Sequence, residues 1–258
     1  MAFNGRAAVA YRMGRNEDVL DNAGQALAVA QAHNLAAEQA QALKLMHTAA
    51  EVAGDEDFAD YAEKALVLVR EIEDLSLEAE ILNNIGVSEQ LAGGLEAAAD
   101  AYRESYELKE RVGDRSGAAM VQMNLSEVEL DRGVTTGVGE MLEECIAEFA
   151  STGFTIGATY SQGLLGQYAL RTGDAPRAAE LLEGAALAFQ ELGAEAYAAD
   201  MEMMLIEADL DLAKLADART LLDRNRARLA AGGVFENPEA TSVRIETLLQ
   251  RLNELAAG

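Results

Sequence analysis

The chain is expected to fold as an all-α, right-handed α-solenoid: tandem helix-turn-helix units closed by a C-terminal capping helix. Three observations lead there. Of 258 residues 50% are hydrophobic but only 5% aromatic, with 2 Pro, a composition suited to closely packed, Ala-rich helices. Turn residues recur at Gly14, Gly54, Gly93, Gly133, Gly173 and Ala213, a spacing of roughly 40 residues that marks a repeat array. A second register keeps step with the first through Asn34, Asp74, Gly113, Gly153, Gly193 and Gly232, so each period divides into two helices. The units read 1–34, 35–74, 75–113, 114–153, 154–193 and 194–233, with the capping helix over 237–256. An array grows by adding units rather than by enlarging one core, so 1–258 is expected to be one continuous domain.

The first unit leaves only Phe3 to Met13 for its opening helix, which suggests an excised fragment or a weakly capped end. Asn16 is placed to cap the helix that follows, through Ala32, and His33 then meets the negative end of its dipole. In the second unit His47 falls at a packing position, and Gly54-Asp55-Glu56-Asp57 sets carboxylates at the positive end of the next helix. That segment lacks the alternating oxygen ligands of a calcium loop. The third unit runs Leu75 to Ala92 and Leu95 to Val112, with Leu95, Ala98, Ala99, Tyr102, Tyr106 and Val112 on one apolar stripe.

The fourth unit opens at Asp114, and its turn runs from Gly133 to Gly139 without the complete spacing of a nucleotide-binding loop. Gly137 and Gly139 each cost a helix about 1 kcal/mol relative to Ala, so its second helix should start late. The fifth unit is the cleanest. Ile156, Tyr160, Leu164, Leu165 and Tyr168 mark its first helix, Gly173 closes it, Asp174 caps the next, and Ala178, Leu182, Ala185, Ala186 and Phe189 mark the second. Beyond Gly232-Gly233, Asn237 as N-cap and Pro238 at the first helical position start the terminal helix, with Ile245, Leu248, Leu249, Leu252 and Leu255 as its apolar stripe.

The pairs resemble the tetratricopeptide repeat (TPR) family, whose first helix carries Leu-Gly and whose second carries spaced small and aromatic residues. Ile85-Gly86, Gly93, Ala98 and Tyr102 supply that pattern in the third unit. Leu165-Gly166, Gly173, Ala178 and Leu182 supply it in the fifth, and Ala218 and Leu222 give its second half in the sixth. The chain departs from the family in having no Trp and no closing Pro, and its period exceeds the usual 34 or so. Longer repeats of this kind are similar to those of kinesin light chains and of the C-terminal arms of large bacterial transcriptional regulators. The resemblance implies a non-catalytic scaffold whose first helices line a concave surface. It also implies a protein or peptide partner, which can be another domain of the same polypeptide.

The formal charge of -25, from 45 acidic and 20 basic residues, argues against nucleic acid and anionic membranes, because phosphate binding requires clustered Lys and Arg. One Cys, Cys145, at a small packing position, and the lack of a secretory leader or long apolar span fit a cytoplasmic protein. Asn124-Leu125-Ser126 is formally a glycosylation acceptor but falls within an expected helix. With 2 His, 1 Cys and no nucleophile elbow, no catalytic residue, metal or cofactor is assigned.

The resemblance also directs attention to the first helices. At about 100° per residue, Ile81, Leu82 and Ile85 form a core stripe, and Glu80, Asn83, Asn84 and Val87 form a second stripe with no evident packing duty. Its counterparts are Met120, Met123, Asn124 and Glu127, then Tyr160, Gln167 and Arg171, then Met203 and Glu207. Amides can donate to and accept from a peptide backbone, while Met and Tyr give adaptable apolar contact. Asn83, Asn84, Val87, Met120, Met123, Asn124, Glu127, Tyr160, Gln167, Arg171 and Met203 are therefore the expected peptide-binding residues.

Overall fold

The computed structural model describes residues 6, 16–55, 58–233, 235 and 238–257. The helix expected over Phe3 to Met13, the turn at Gly14, the cap expected from the Asn16 side chain, Glu56, Asp57 and the cap expected at Asn237 lie outside the described residues and side chains. Twelve helices fill the rest: α1 (Asn16–Ala32), α2 (Ala36–Ala53), α3 (Phe58–Glu71), α4 (Leu75–Leu91), α5 (Leu95–Val112), α6 (Arg115–Asp131), α7 (Val138–Thr152), α8 (Thr155–Thr172), α9 (Ala175–Glu191), α10 (Glu195–Asp211), α11 (Leu215–Ala230) and α12 (Pro238–Ala257). No strand occurs among the described residues. The even-numbered helices from α2 to α10 are the first helices of their pairs. The chain divides into two compact units, Met1–Val128 and Glu129–Gly258, and the last turn of α6 belongs to the second.

The junctions fall at left-handed residues. Most are glycine, but Asn34 (φ 53°), Glu73 (φ 57°) and Ala213 (φ 55°) take the same conformation with a side chain in place. One boundary differs by a residue from the expected register: Glu73, not Asp74, turns the chain. Asp74 is thereby released to cap α4, accepting from Leu77 N–H at 3.0 Å. Asp114 does the same at Gly117 N–H (2.9 Å), and Asp174 at Arg177 N–H (3.1 Å). The Asp114 carboxyl is held below its ordinary range, first by the hydrogen bond from Lys109 and then by the one from Gly117. An L-residue held left-handed costs roughly 1–2 kcal/mol. Ala213→Gly is therefore expected to raise stability by about 1 kcal/mol, read as a higher urea midpoint with an unchanged slope. An unaltered or lower midpoint would contradict it.

In the fourth pair the second helix does start late. After Gly93 the next helix begins at Leu95 and after Gly173 at Ala175, whereas after Gly133 α7 begins only at Val138. Gly137, left-handed at φ 78°, sits at its N-cap with no side chain to supply a capping bond.

In the first unit α1 packs on α2, α2 on α3, α3 on α4 and α4 on α5, and α2 also meets α4. Ala40, Leu43, Ala65, Val69, Leu77 and Ile81 join α2, α3 and α4 in one cluster. Close approach explains the Leu-Gly signature: a Cβ on Gly86 would lie 2.5 Å from the ring of Tyr102, which is fully buried. The Tyr102 hydroxyl donates to Gln90 at 3.0 Å.

The second unit repeats the arrangement, with α8 touching α10 and α10 touching α12. A Cβ on Gly166 would meet Leu182 Cγ at 2.7 Å. Met203, Ile206, Ala218, Leu222, Ile245 and Leu248 form a cluster that lays α12 across α10 and α11. At the repeat position held by Gly86 and Gly166, α12 carries Glu246, which is exposed. A further second helix stacked there would have to bury that carboxylate. Val112, Ile156 and Leu255, expected on apolar stripes, are instead exposed, each within the first or last turn of its helix.

Candidate functional site

Polar side chains tie the first helices together at intervals of one repeat. In the first unit Lys44 on α2 pairs with Glu80 on α4, and Asn84 Nδ2 donates to Thr48 Oγ1 at 3.3 Å. Asn124 Nδ2 on α6 donates to Asn83 Oδ1 on α4 at 3.2 Å. Beneath them His47 is buried, donating from Nδ1 to the Phe58 carbonyl (2.9 Å) and accepting at Nε2 from the Ser88 hydroxyl (3.1 Å). Asn83, Asn84, Val87, Met120, Asn124 and Glu127 are all half-buried on this ladder. Glu127 also faces Tyr102, whose hydroxyl is pushed well above its ordinary range by burial first and by that carboxylate second.

In the second unit Gln167 and Arg171 on α8 both face Asp131, the former by a hydrogen bond. Tyr160 meets Tyr197 of α10 edge-on at 5.5 Å between ring centres, and Tyr197 stacks on buried Phe189 at 5.1 Å. Arg244 of α12 holds Glu207 at 2.6 Å, and Arg251 pairs with Asp211. Tyr160 and Gln167 are half-buried and Arg171 is exposed.

The expected stripe is therefore largely accessible, with two exceptions. Met203 is 2% exposed in the cluster with Leu222 and Ile245, and Met123 is 8% exposed. A first helix in this stack is flanked by its own partner and by the neighbouring pairs, which leaves a narrower open arc than a simple amphipathic helix has. The residues that sequence reasoning passed over are Lys44 and Thr48, together with the charge alternation that Asp131, Asp211 and Arg251 make with the expected Arg171. The last is legible as opposite charges recurring at the repeat period.

Among solved structures the chain is similar to BtubC (BKLC) from P. vanneervenii at 18% identity, covering 92% of this chain and 95% of that one with a TM-score of 0.68. It is also similar to a signal transduction ATPase with numerous domains (STAND) carrying a tetratricopeptide repeat sensor, from Pyrococcus horikoshii. That match has 15% identity, a TM-score of 0.76, and covers 99% of this chain and 41% of that one. A Rap protein complexed with Competence and Sporulation Factor matches at 18% identity over 81% of this chain and 63% of that one, TM-score 0.57. The fold is a tetratricopeptide-repeat fold. No family model matches the chain, and no curated protein matches it. The TPR pairs described here also contain no helix among the described residues long and apolar enough to cross a membrane.

Proposed function

We propose that the first-helix face binds a segment of another protein, and that the chain acts as a non-catalytic interaction module. The observation that carries this is the asparagine set of the first unit. Asn83, Asn84 and Asn124 are half-buried and held by hydrogen bonds between helices, and each amide retains donors and acceptors that those bonds do not use. Fixed amides of this kind suit an extended backbone, because little ordering entropy is lost on contact. The complex of the Rap protein with Competence and Sporulation Factor supports the same reading for a like fold. In the second unit Tyr160, Gln167 and Arg171 offer the corresponding contacts.

Peptides selected from a random phage-displayed library on the whole chain provide the test. Their affinity is expected to fall about tenfold or more in N84A/N124A or in Y160A. The melting temperature should fall only by several degrees, as each half-exposed hydrogen bond costs about 1 kcal/mol and N84A/N124A loses two. Selected peptides that bind both variants unchanged would place recognition elsewhere and end this reading.

A second reading, a regulatory or sensor arm inside a longer polypeptide, is supported by the likeness of nearly the whole chain to less than half of the STAND protein. Its partner would then be another domain of the same protein. The native gene decides between them: an ATPase, cyclase or DNA-binding domain encoded in the same frame favours the arm.

A further inference from the structure

On the side of α10 turned toward α9 and α11 lies a groove of about 380 Å³. Ala186 and Leu187 of α9 and Thr220 and Leu221 of α11 form its walls, and Glu202 and Asp209 of α10 lie in its floor. The two floor carboxylates are in opposite conditions. Glu202, 1% exposed, is saturated: Oε1 accepts from Gln190 Nε2 (2.9 Å) and Arg224 Nη1 (2.8 Å), and Oε2 from Asn225 Nδ2 (3.0 Å) and Arg228 Nη1 (2.5 Å). Asp209 is nearly as enclosed, 4% exposed, yet its one side-chain partner among the described residues is Lys214, in an ion pair whose Nζ stands 3.7 Å away. Lys214 is itself half exposed. Burial raises the Asp209 carboxyl above its ordinary range, Lys214 opposes this, and Asp217 and Glu183 at the rim add to it. A buried carboxylate whose one ion pair is long keeps acceptor capacity that an entering donor can use.

We propose that this groove receives the guanidinium of an arginine side chain presented by a basic peptide. A planar fork can donate two parallel hydrogen bonds to Asp209, and being weakly hydrated it enters such a site at less cost than an ammonium. The aliphatic stem finds Ala186, Leu187 and Leu221, as long cationic side chains do when they lie along apolar walls. Glu183 and Asp217 keep the entrance negative, and the formal charge of -25 draws cationic segments toward the chain. The site lies in the second unit, involves none of the first-helix asparagines, and does not rest on the reading of that face.

The test uses the whole chain labelled with ¹⁵N and titrated with acetyl-Gly-Arg-Gly-amide up to about 20 mM, the range in which a single paired side chain binds. Saturable amide shifts are expected at Ala186 and Thr220. They should weaken about tenfold with acetyl-Gly-Leu-Gly-amide or in D209N, which removes a buried charge and so should not lower the melting temperature. L187R, which supplies a competing guanidinium from the groove wall, is a second variant expected to abolish them. The proposal is overturned by an absence of saturable shifts, by equal binding of the Leu peptide, or by shifts that persist in L187R. Shifts unchanged in a folded D209N would also overturn it.

Discussion

Replacing Phe189 by Ala is expected to destabilise the second unit by about 3–5 kcal/mol. The ring is fully buried in a cluster that includes Ala178, Ala185, Ala186, Ala198 and Met201. Alanines have no rotamers with which to refill a vacated volume, and helix backbones bearing them are already in close contact, so most of the cavity would remain. The loss also removes the platform under Tyr197 and, through it, the edge contact to Tyr160. Phe189→Leu should recover roughly half of the loss. Chemical denaturation followed by far-ultraviolet circular dichroism reads the change, and a loss under about 1 kcal/mol would show that the cluster collapses around the gap.

Glu202→Ala is expected to cost about 2–3 kcal/mol. Removing one partner of a buried ion pair costs roughly 3–5 kcal/mol, and the smaller figure applies because Arg224 and Arg228 both reach solvent. What cannot reach solvent is Asn225, 0% exposed, which keeps its bond to the Leu221 carbonyl but loses its carboxylate. Glu202→Gln preserves the volume and one acceptor and should lose less. Equal stability of Glu202→Ala and the unsubstituted chain, by the same denaturation, would mean that the network holds nothing together.

The junctions were the legible part of this fold, because a left-handed turn selects Gly and Asn strongly enough to survive as a pattern in sequence. The pattern blurs where the selection is overridden. At 73–74 an Asp suited to capping stood beside a Glu forced into the turn, and the Asp drew the boundary by one residue. Accessibility along the first helices was less legible. Met203 and Asn83 hold the same repeat position, but whether a neighbouring pair covers it depends on packing between repeats, which intrahelical periodicity does not encode. The network around Glu202 was missed for a related reason. Its donors come from α9 and α11, and nothing in the spacing of Arg224, Asn225 and Arg228 says that they converge on a carboxylate one helix earlier.

Cys145, the sole thiol of the chain, is fully enclosed within α7, and burial pushes its ionisation up to about 12. At neutral pH such a sulfur is both protonated and walled off from reagents, whereas an unfolded cysteine ionises near 8.5 and alkylates readily. Modification must then wait for a breathing motion that frees α7, whose N-cap is the left-handed Gly137. With reagent in excess, the rate of mass gain becomes a clock for that motion, so the chain carries its own stopwatch for how often its second half comes apart, with no dye or engineered label required.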